Sequence, residues 1–252
     1  MIFNLFFLGN AGCGKTRLAY AFNGWLKRKG FKSVICNLDP AAEYFPYTPE
    51  FDIKKYVDAR KLMMDEGLGP NGAILSSVDK MDKMFKVWFK DILEYHDVDF
   101  RIFDTPGQLE ILLYRNSAIS LISKIGKSGR NVGVFLVEAK LVREPVSLTV
   151  LLMQANIAKV RLDMPTVFVI SKADLKLRSD LEMLISDSEY LENKVVEEGV
   201  GGQKSAAILL CRALAQMPWR QRLVKVSSLK ESGFRSLYEI VNEAMCVCGD
   251  LT

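Results

Sequence analysis

Eight residues near the start of the chain, GNAGCGKT from Gly9 to Thr16, have the types and spacing needed to hold a polyphosphate. In the pattern G-x-x-x-x-G-K-[ST], glycines let backbone N–H groups turn inward and the following helix adds positive potential at its N-terminus. A lysine reaches the terminal phosphates and a hydroxyl meets Mg²⁺. Those parts fall to Gly9, Gly14, Lys15 and Thr16, with Asn10, Ala11, Gly12 and Cys13 supplying the backbone between them. At ordinary residue frequencies a chance match in a chain of this length has odds of roughly one in a hundred. The apolar run before the motif and the helical pattern after it make the arrangement the one a phosphate cradle requires.

Two further segments carry the chemistry such a cradle needs. FRIFDTPGQLE, Phe100 to Glu110, puts Asp104 at a strand end, where a carboxylate can hold Mg²⁺, usually through water. Gly107 would let a backbone N–H approach the γ-phosphate, and Gln108 and Glu110 are candidates for orienting or activating the attacking water. In VFVISKADL, Asp174 can accept two hydrogen bonds from the N1–H and N2–H₂ edge of guanine while the Lys172 stem covers the ring. Adenine lacks those donors and would leave the carboxylate unpaired, so the expected ligands are GTP and GDP. The widespread form of this motif is NKxD, and Ser171 is expected to lose a contact to the phosphate loop through its shorter side chain. KVSSLKESGF follows the last strand, and its Ser227 and Ser228 are placed to offer a backbone N–H to guanine O6.

These motifs must be positioned by regular elements, and the hydropathy pattern supplies them. Short apolar runs alternate with helical periodicity, the mark of parallel βαβ units. Strands are predicted over Ile2–Leu8, Ser33–Leu38, Phe100–Phe103, Val132–Val137, Thr166–Ile170 and Leu223–Val226. The expected fold is α/β, a three-layer P-loop NTPase unit with a mostly parallel sheet of about six strands, spanning residues 1–252. Residues 178–218 are mostly helical in pattern, with the GVGG of Gly199–Gly202 as an internal break, and read as a helical insertion before the last strand. Ile74, Val78, Met81, Phe85, Trp88 and Ile92 recur at spacings of three and four, which predicts one amphipathic helix after the loop LGPNG. In that loop Pro70 disfavours helix at Gly69 and leaves Asn71 to cap the helix.

Composition excludes several other classes. The 252 residues are 49% hydrophobic and 25% charged, the proportions of a globular chain with a sizeable core. The formal charge of +4 is mild and its basic residues are dispersed, so no direct nucleic-acid binding is indicated; the densest run, WLKRKG, closes a helix that Gly30 can cap. Five cysteines without a framework spacing point to a reducing, cytoplasmic setting. The pair in CVCGD lacks the further ligands a zinc site needs, since His96 is the single histidine. The most apolar helix, Val146 to Val160, is too short for a membrane span and carries Gln154, Asn156 and Lys159.

The phosphate loop, LDPA (Leu38 to Ala41), GPN (Gly69 to Asn71), DTPGQ, SKAD and the ending CGDLT, in that order across nearly the whole chain, resemble the GPN-loop GTPase family, in particular its compact archaeal-type members. The resemblance implies a homodimer in which each subunit's Gly69-Pro70-Asn71 loop reaches into the partner's nucleotide site. It implies that Asp39 lies close to the metal and the attacking water, and, because eukaryotic relatives are linked to RNA polymerase assembly, that a protein client of that kind is a candidate partner. Asp39, Gln108 and Glu110 all stay open for water activation. A P-loop kinase passing phosphate to a small acceptor or nucleic acid is the alternative reading, against which stand the guanine motif and the lack of an Arg-rich lid.

Overall fold

A computed structural model of the protein describes residues 2–217 and 223–246, the last two by backbone alone. In chain order the first half comprises β1 (Phe3–Leu8), α1 (Lys15–Arg28), β2 (Ser33–Asn37), β3 (Phe51–Asp52), a 3-10 turn (Ile53–Lys55), α2 (Ala59–Asp65), α3 (Pro70–Lys83), α4 (Phe85–Glu94), β4 (Phe100–Asp104), α5 (Leu109–Tyr114) and α6 (Asn116–Gly126). The second half comprises β5 (Arg130–Glu138), α7 (Pro145–Leu162), β6 (Thr166–Ser171), α8 (Leu181–Ser186), α9 (Ser188–Glu198), α10 (Gly201–Gln216), β7 (Val224–Lys225) and α11 (Phe234–Cys246).

The strands form one sheet in the order β3-β2-β4-β1-β5-β6-β7, every pair parallel. Sheets of this kind are covered on both faces, so their strands read as continuous apolar runs, as FNLFFL does. Alternate residues supply the two cores. Leu5 and Phe7 pack with Leu18, Phe22 and Leu237 from α1 and α11, while Phe6 and Leu8 pack with Phe103, Phe135 and Phe168 under the helices of the other face. The sheet is thus the middle of three layers.

The sheet has one strand more than the six predicted. Phe51–Asp52 is too short to show a periodicity, and it exists because Cys36 and Asn37 of β2 pair with it. The single helix expected across Ile74–Ile92 is two, broken at Met84. The Trp88 indole N–H donates to the Met81 carbonyl at 2.9 Å, satisfying an acceptor that the end of α3 would orphan. Asn71 does not cap α3, a second correction. Gly69 is the N-cap residue and Pro70 the first helical position, where the missing N–H costs nothing, which moves Asn71 into the first turn with its side chain free of capping duty.

The helical segment between β6 and β7 contains α8, α9 and α10, with Gly199 and Gly201 at the break. It packs on α7, and Arg178 clasps its base by pairing with both Asp180 and Glu198. The far limit of the predicted insertion, like the CGDLT ending and Cys248, lies outside the described residues. Among the described residues no helix is long and apolar enough to cross a membrane.

Candidate functional site

Every strand that bears a predicted site residue delivers it at its C-terminal end, where open α/β sheets bind ligands beside a switch in strand order. Asn37 of β2 and Phe7 of β1 are the register partners of Asp104, and Glu138 of β5 is the partner of Ser171. The loop after β1 and the ends of β2, β4 and β6 therefore meet along one edge, with the connection after β7 beside them.

The phosphate loop has the backbone its glycines permit. Gly9 has φ 136°, and a Cβ there would stand 2.4 Å from the Leu136 carbonyl oxygen. Gly14, at φ 95°, is the N-cap of α1, and Leu18 N–H bonds back to its carbonyl. The buried Lys15 ammonium lies inside the loop, donating to Gly9 O at 2.7 Å and Asn10 O at 3.1 Å. Ser171 does reach the loop, contrary to the expectation from its length. Its hydroxyl donates to Cys13 O at 2.6 Å, because β6 runs close enough for one Cβ–Oγ arm to span the gap.

Asp104 ends β4 almost fully buried, and its Oδ1 has no hydrogen-bond partner. Burial pushes the carboxyl up to about 6, against the downward pull of the Thr16 hydroxyl and the Lys15 ammonium. A desolvated carboxylate oxygen with an open lone pair, beside a threonine hydroxyl at a helix start, is a donor set for a hard cation. The residues present fit Mg²⁺: Thr16 and Asp104 would hold it, with Asp39 close enough for its charge to raise Asp104 further. Among the described residues there is no cluster of three or more His, Cys, Asp or Glu side chains able to hold a metal, which agrees with an ion that takes its other ligands from phosphate and water.

Asp104→Asn is accordingly expected to stabilise the metal-free protein while removing metal-dependent turnover. The folded carboxyl binds its proton more tightly than the unfolded one, so its cost is absent at low pH and grows as pH rises from about 4 to 6. Above pH 6 the amide should gain about 3 kcal/mol in urea denaturation, shrinking as the pH falls to 4. An amide variant less stable than the parent at pH 7.5 would contradict this account of the site.

Asp39 follows β2 and is part-buried. Burial raises its carboxyl, and the Ala41 N–H, Lys15, Lys54 and the Gly107 N–H draw it back. The Gly107 N–H that was expected at a terminal phosphate is thus engaged with Asp39, although Gly107 does pack against Ala11 of the phosphate loop. Gln108 precedes α5, and its Nε2 donates to Asn71 Oδ1 of the same chain at 3.1 Å. Glu110 is exposed and lines a cleft of about 600 Å³ with Leu75, Asp79, Tyr114 and Arg115. Of the three candidates for water activation, Asp39 is the one whose charge is felt at both Lys15 and Asp104.

At the base end, Asp174 Oδ1 accepts from the Ser227 hydroxyl at 2.5 Å, and this bond holds its carboxyl below the usual range. The Ser227 N–H bonds Ser232 O, so Ser227 is not a backbone donor to guanine; its contribution is to orient Asp174. Ser228 follows it in the same loop. Lys172 adopts φ 55° and its ammonium pairs with Glu138 at 3.1 Å, which folds the stem across the end of the sheet.

Sequence reasoning missed Glu138, Asn37 and Tyr47. The Tyr47 hydroxyl donates to Asp104 Oδ2 at 3.4 Å, and its ring stacks on Tyr20. It sits in an irregular loop with no spacing to betray it. Glu138 and Asn37 stand at strand ends, where position alone was the available signal.

Residues 7–247 match a protein family described as conserved hypothetical ATP binding protein. The chain is similar to a GPN-loop GTPase of Pyrococcus abyssi, 28% identical over 250 residues and 98% of each chain. It is 33% identical over 193 residues to GPN-loop GTPase 2 of Schizosaccharomyces pombe, a match covering 73% of this chain and 61% of that longer one. Among solved structures, a GTPase of Pyrococcus abyssi in apo form superposes with a TM-score of 0.85 at 26% identity over 98% of both chains.

Proposed function

We infer the function from one fact: this chain belongs to the GPN-loop GTPase family. It binds GTP and hydrolyses it to GDP and phosphate, and the observation that carries this is the buried, unpartnered Asp104 oxygen beside Thr16 and Lys15, in line with the Asp174–Ser227 pair at the base end. The family model's description names ATP and the relatives' names GTP; the Asp174 carboxylate favours guanine, whose paired donors it can accept.

Its own residues divide the work. The loop N–H groups, Lys15 and the α1 N-terminus hold the phosphates. Thr16 and Asp104 hold Mg²⁺, which neutralises charge on the phosphates when bound. Asp39 orients the water, with Gln108 at the rim; Gly107 links Asp39 to the phosphate loop. Ser171 fixes that loop to the base-binding strand, Ser227 aims Asp174, and Ser228 offers the remaining N–H to guanine O6.

The active unit is a homodimer in which Gly69, Pro70 and Asn71 of each subunit complete the other's site. Exposure of all three residues supports this, as does the helical first turn that holds the Asn71 amide in one orientation. The dimer would act as a cytoplasmic conformational switch or assembly factor, with a protein client such as an RNA polymerase assembly complex.

Steady-state assay of phosphate release with GTP and ATP tests the reading. GTP should be preferred, and Asp174→Ala should cut that preference by at least about tenfold. Equal hydrolysis of both triphosphates by the parent protein would refute base recognition, and a phosphorylated acceptor in place of free phosphate would mark a kinase.

A further inference from the structure

Asp39 is held in place by residues that belong to none of the nucleotide motifs. Asn37, the last residue of β2, is fully buried. Its Oδ1 accepts from Asp39 N–H at 2.9 Å, and its Nδ2 donates to Asp39 O at 3.1 Å and to Asp52 Oδ1 of β3 at 2.8 Å. Only a carboxamide supplies both the acceptor and the two donors this arrangement uses. Asp52 Oδ1 also accepts from Lys54 N–H at 3.0 Å, and the Lys54 ammonium donates to Ala42 O at 2.6 Å, gripping the far end of the same turn. Ala59 N–H bonds Pro40 O at 2.9 Å. Within the turn, Ala41 N–H fixes Asp39 Oδ1 at 2.9 Å. The backbone on both sides of Asp39 is therefore tied to β3 and its 3-10 turn, while its carboxyl faces the charges of Lys15 and Asp104.

We propose that Asn37 and Asp52 are positioning residues for Asp39 in the hydrolytic step, the short edge strand β3 serving to anchor the Asn37 amide. This rests on the reading of Asp39 as the group that orients the attacking water. A water-orienting carboxylate loses effectiveness steeply with displacement, and an error of about 1 Å can cost a factor of about 10² in rate. Nucleotide affinity, carried by Lys15, the loop amides and Asp174, does not pass through this tether.

The test compares Asp52→Ala, Asp52→Asn, Asp39→Ala and the Asp39→Ala/Asp52→Ala double variant, measuring kcat and KM for GTP and GDP affinity by fluorescent-nucleotide titration. Asp52→Ala should lower kcat by about 10- to 100-fold with KM and GDP affinity within about threefold. Asp52→Asn keeps an acceptor for both Asn37 and Lys54 and should recover most of the loss. In the Asp39→Ala background the Asp52→Ala change should add less than about twofold, because the group it positions is gone. Should the alanine variant unfold, Asp52→Ser, which can still cap Lys54 N–H but cannot reach Asn37, carries the same expectation. Full kcat in folded Asp52→Ala or Asp52→Ser beside a slow Asp39→Ala overturns the positioning role alone. A loss that multiplies on top of Asp39→Ala overturns it too, by showing a general structural defect. Full kcat in Asp39→Ala overturns the reading of Asp39 and this inference together.

Discussion

Lys15→Ala is expected to remove measurable affinity for GTP and GDP, at least a 100-fold loss, with the thermal transition preserved. Lys15 is the cation placed inside the phosphate loop, buried, with its ammonium on the Gly9 and Asn10 carbonyls. Those same carbonyls hold it where a β/γ-phosphate would be cradled, so little reorganisation is needed to engage a ligand. Hydrogen bonds to charged groups contribute about 1.5 to 3 kcal/mol each, and deleting the ammonium removes more than one of them together with its long-range attraction. The fold should survive because the partners lost are two loop carbonyls and none of the side chains that build either core. Titration with a fluorescent GDP analogue, alongside a melting curve, checks both halves. Tight binding by a folded Lys15→Ala protein would contradict the assignment of the loop.

Asn71→Ala is expected to leave GTP and GDP affinity within about threefold and to lower kcat by 10² to 10³, the effect of losing one preorganised donor worth about 2.7 to 4 kcal/mol of barrier. Preorganisation comes from the helix start. Gly69 is extended at the N-cap and Pro70 has its φ fixed by its ring, so Asn71 leaves the first turn of α3 in a defined direction. Its present bond to Gln108 is a single exposed contact worth about 1 kcal/mol. That is less than the catalytic gain, so the amide can exchange Gln108 for a partner's phosphate or water. Single-turnover kinetics with saturating enzyme separates the chemical step from binding. A variant with full single-turnover rate would leave Asn71 with no role beyond its contact to Gln108.

The parts of this site that were legible in the sequence are those whose chemistry dictates residue type at fixed spacing. A backbone that must reach φ 95° at Gly14 or exclude a Cβ at Gly9 leaves a glycine pattern, and apolar runs buried on both faces announce parallel strands. The features that were missed depended on distances between segments. Ser171 looked too short for its task, yet the gap between β6 and the phosphate loop is a property of the sheet and invisible in one strand. The break at Met84 hides in an unbroken amphipathic pattern because the deciding contact is a side-chain to backbone bond from Trp88. Ser227 was assigned by its backbone, whereas the antiparallel bridge to Ser232 consumes that N–H and leaves the hydroxyl to orient Asp174. β3 has two residues and exists only through its pairing to β2.

The division of labour also explains why burial is spent on polar groups at one sheet edge. Asn37, Asp104, Ser171 and Ser227 are all buried at strand ends or just beyond, and each except Asp104 has its polar atoms engaged by protein. Among the described residues, the buried carboxylate with an unused oxygen is the one assigned to the metal.

A shared active site is tested most directly by mixing two inactive proteins. Asn71→Ala retains a complete phosphate loop but no amide to lend, and Lys15→Ala retains the amide but cannot hold a triphosphate. Phosphate release measured across mixing ratios, after exchange of subunits, should rise well above the sum of the two parents and peak near equal amounts, because each mixed dimer contains one complete site. Activity that never exceeds that sum, in a mixture shown by native mass spectrometry to contain the mixed dimer, would mean that Asn71 serves its own chain.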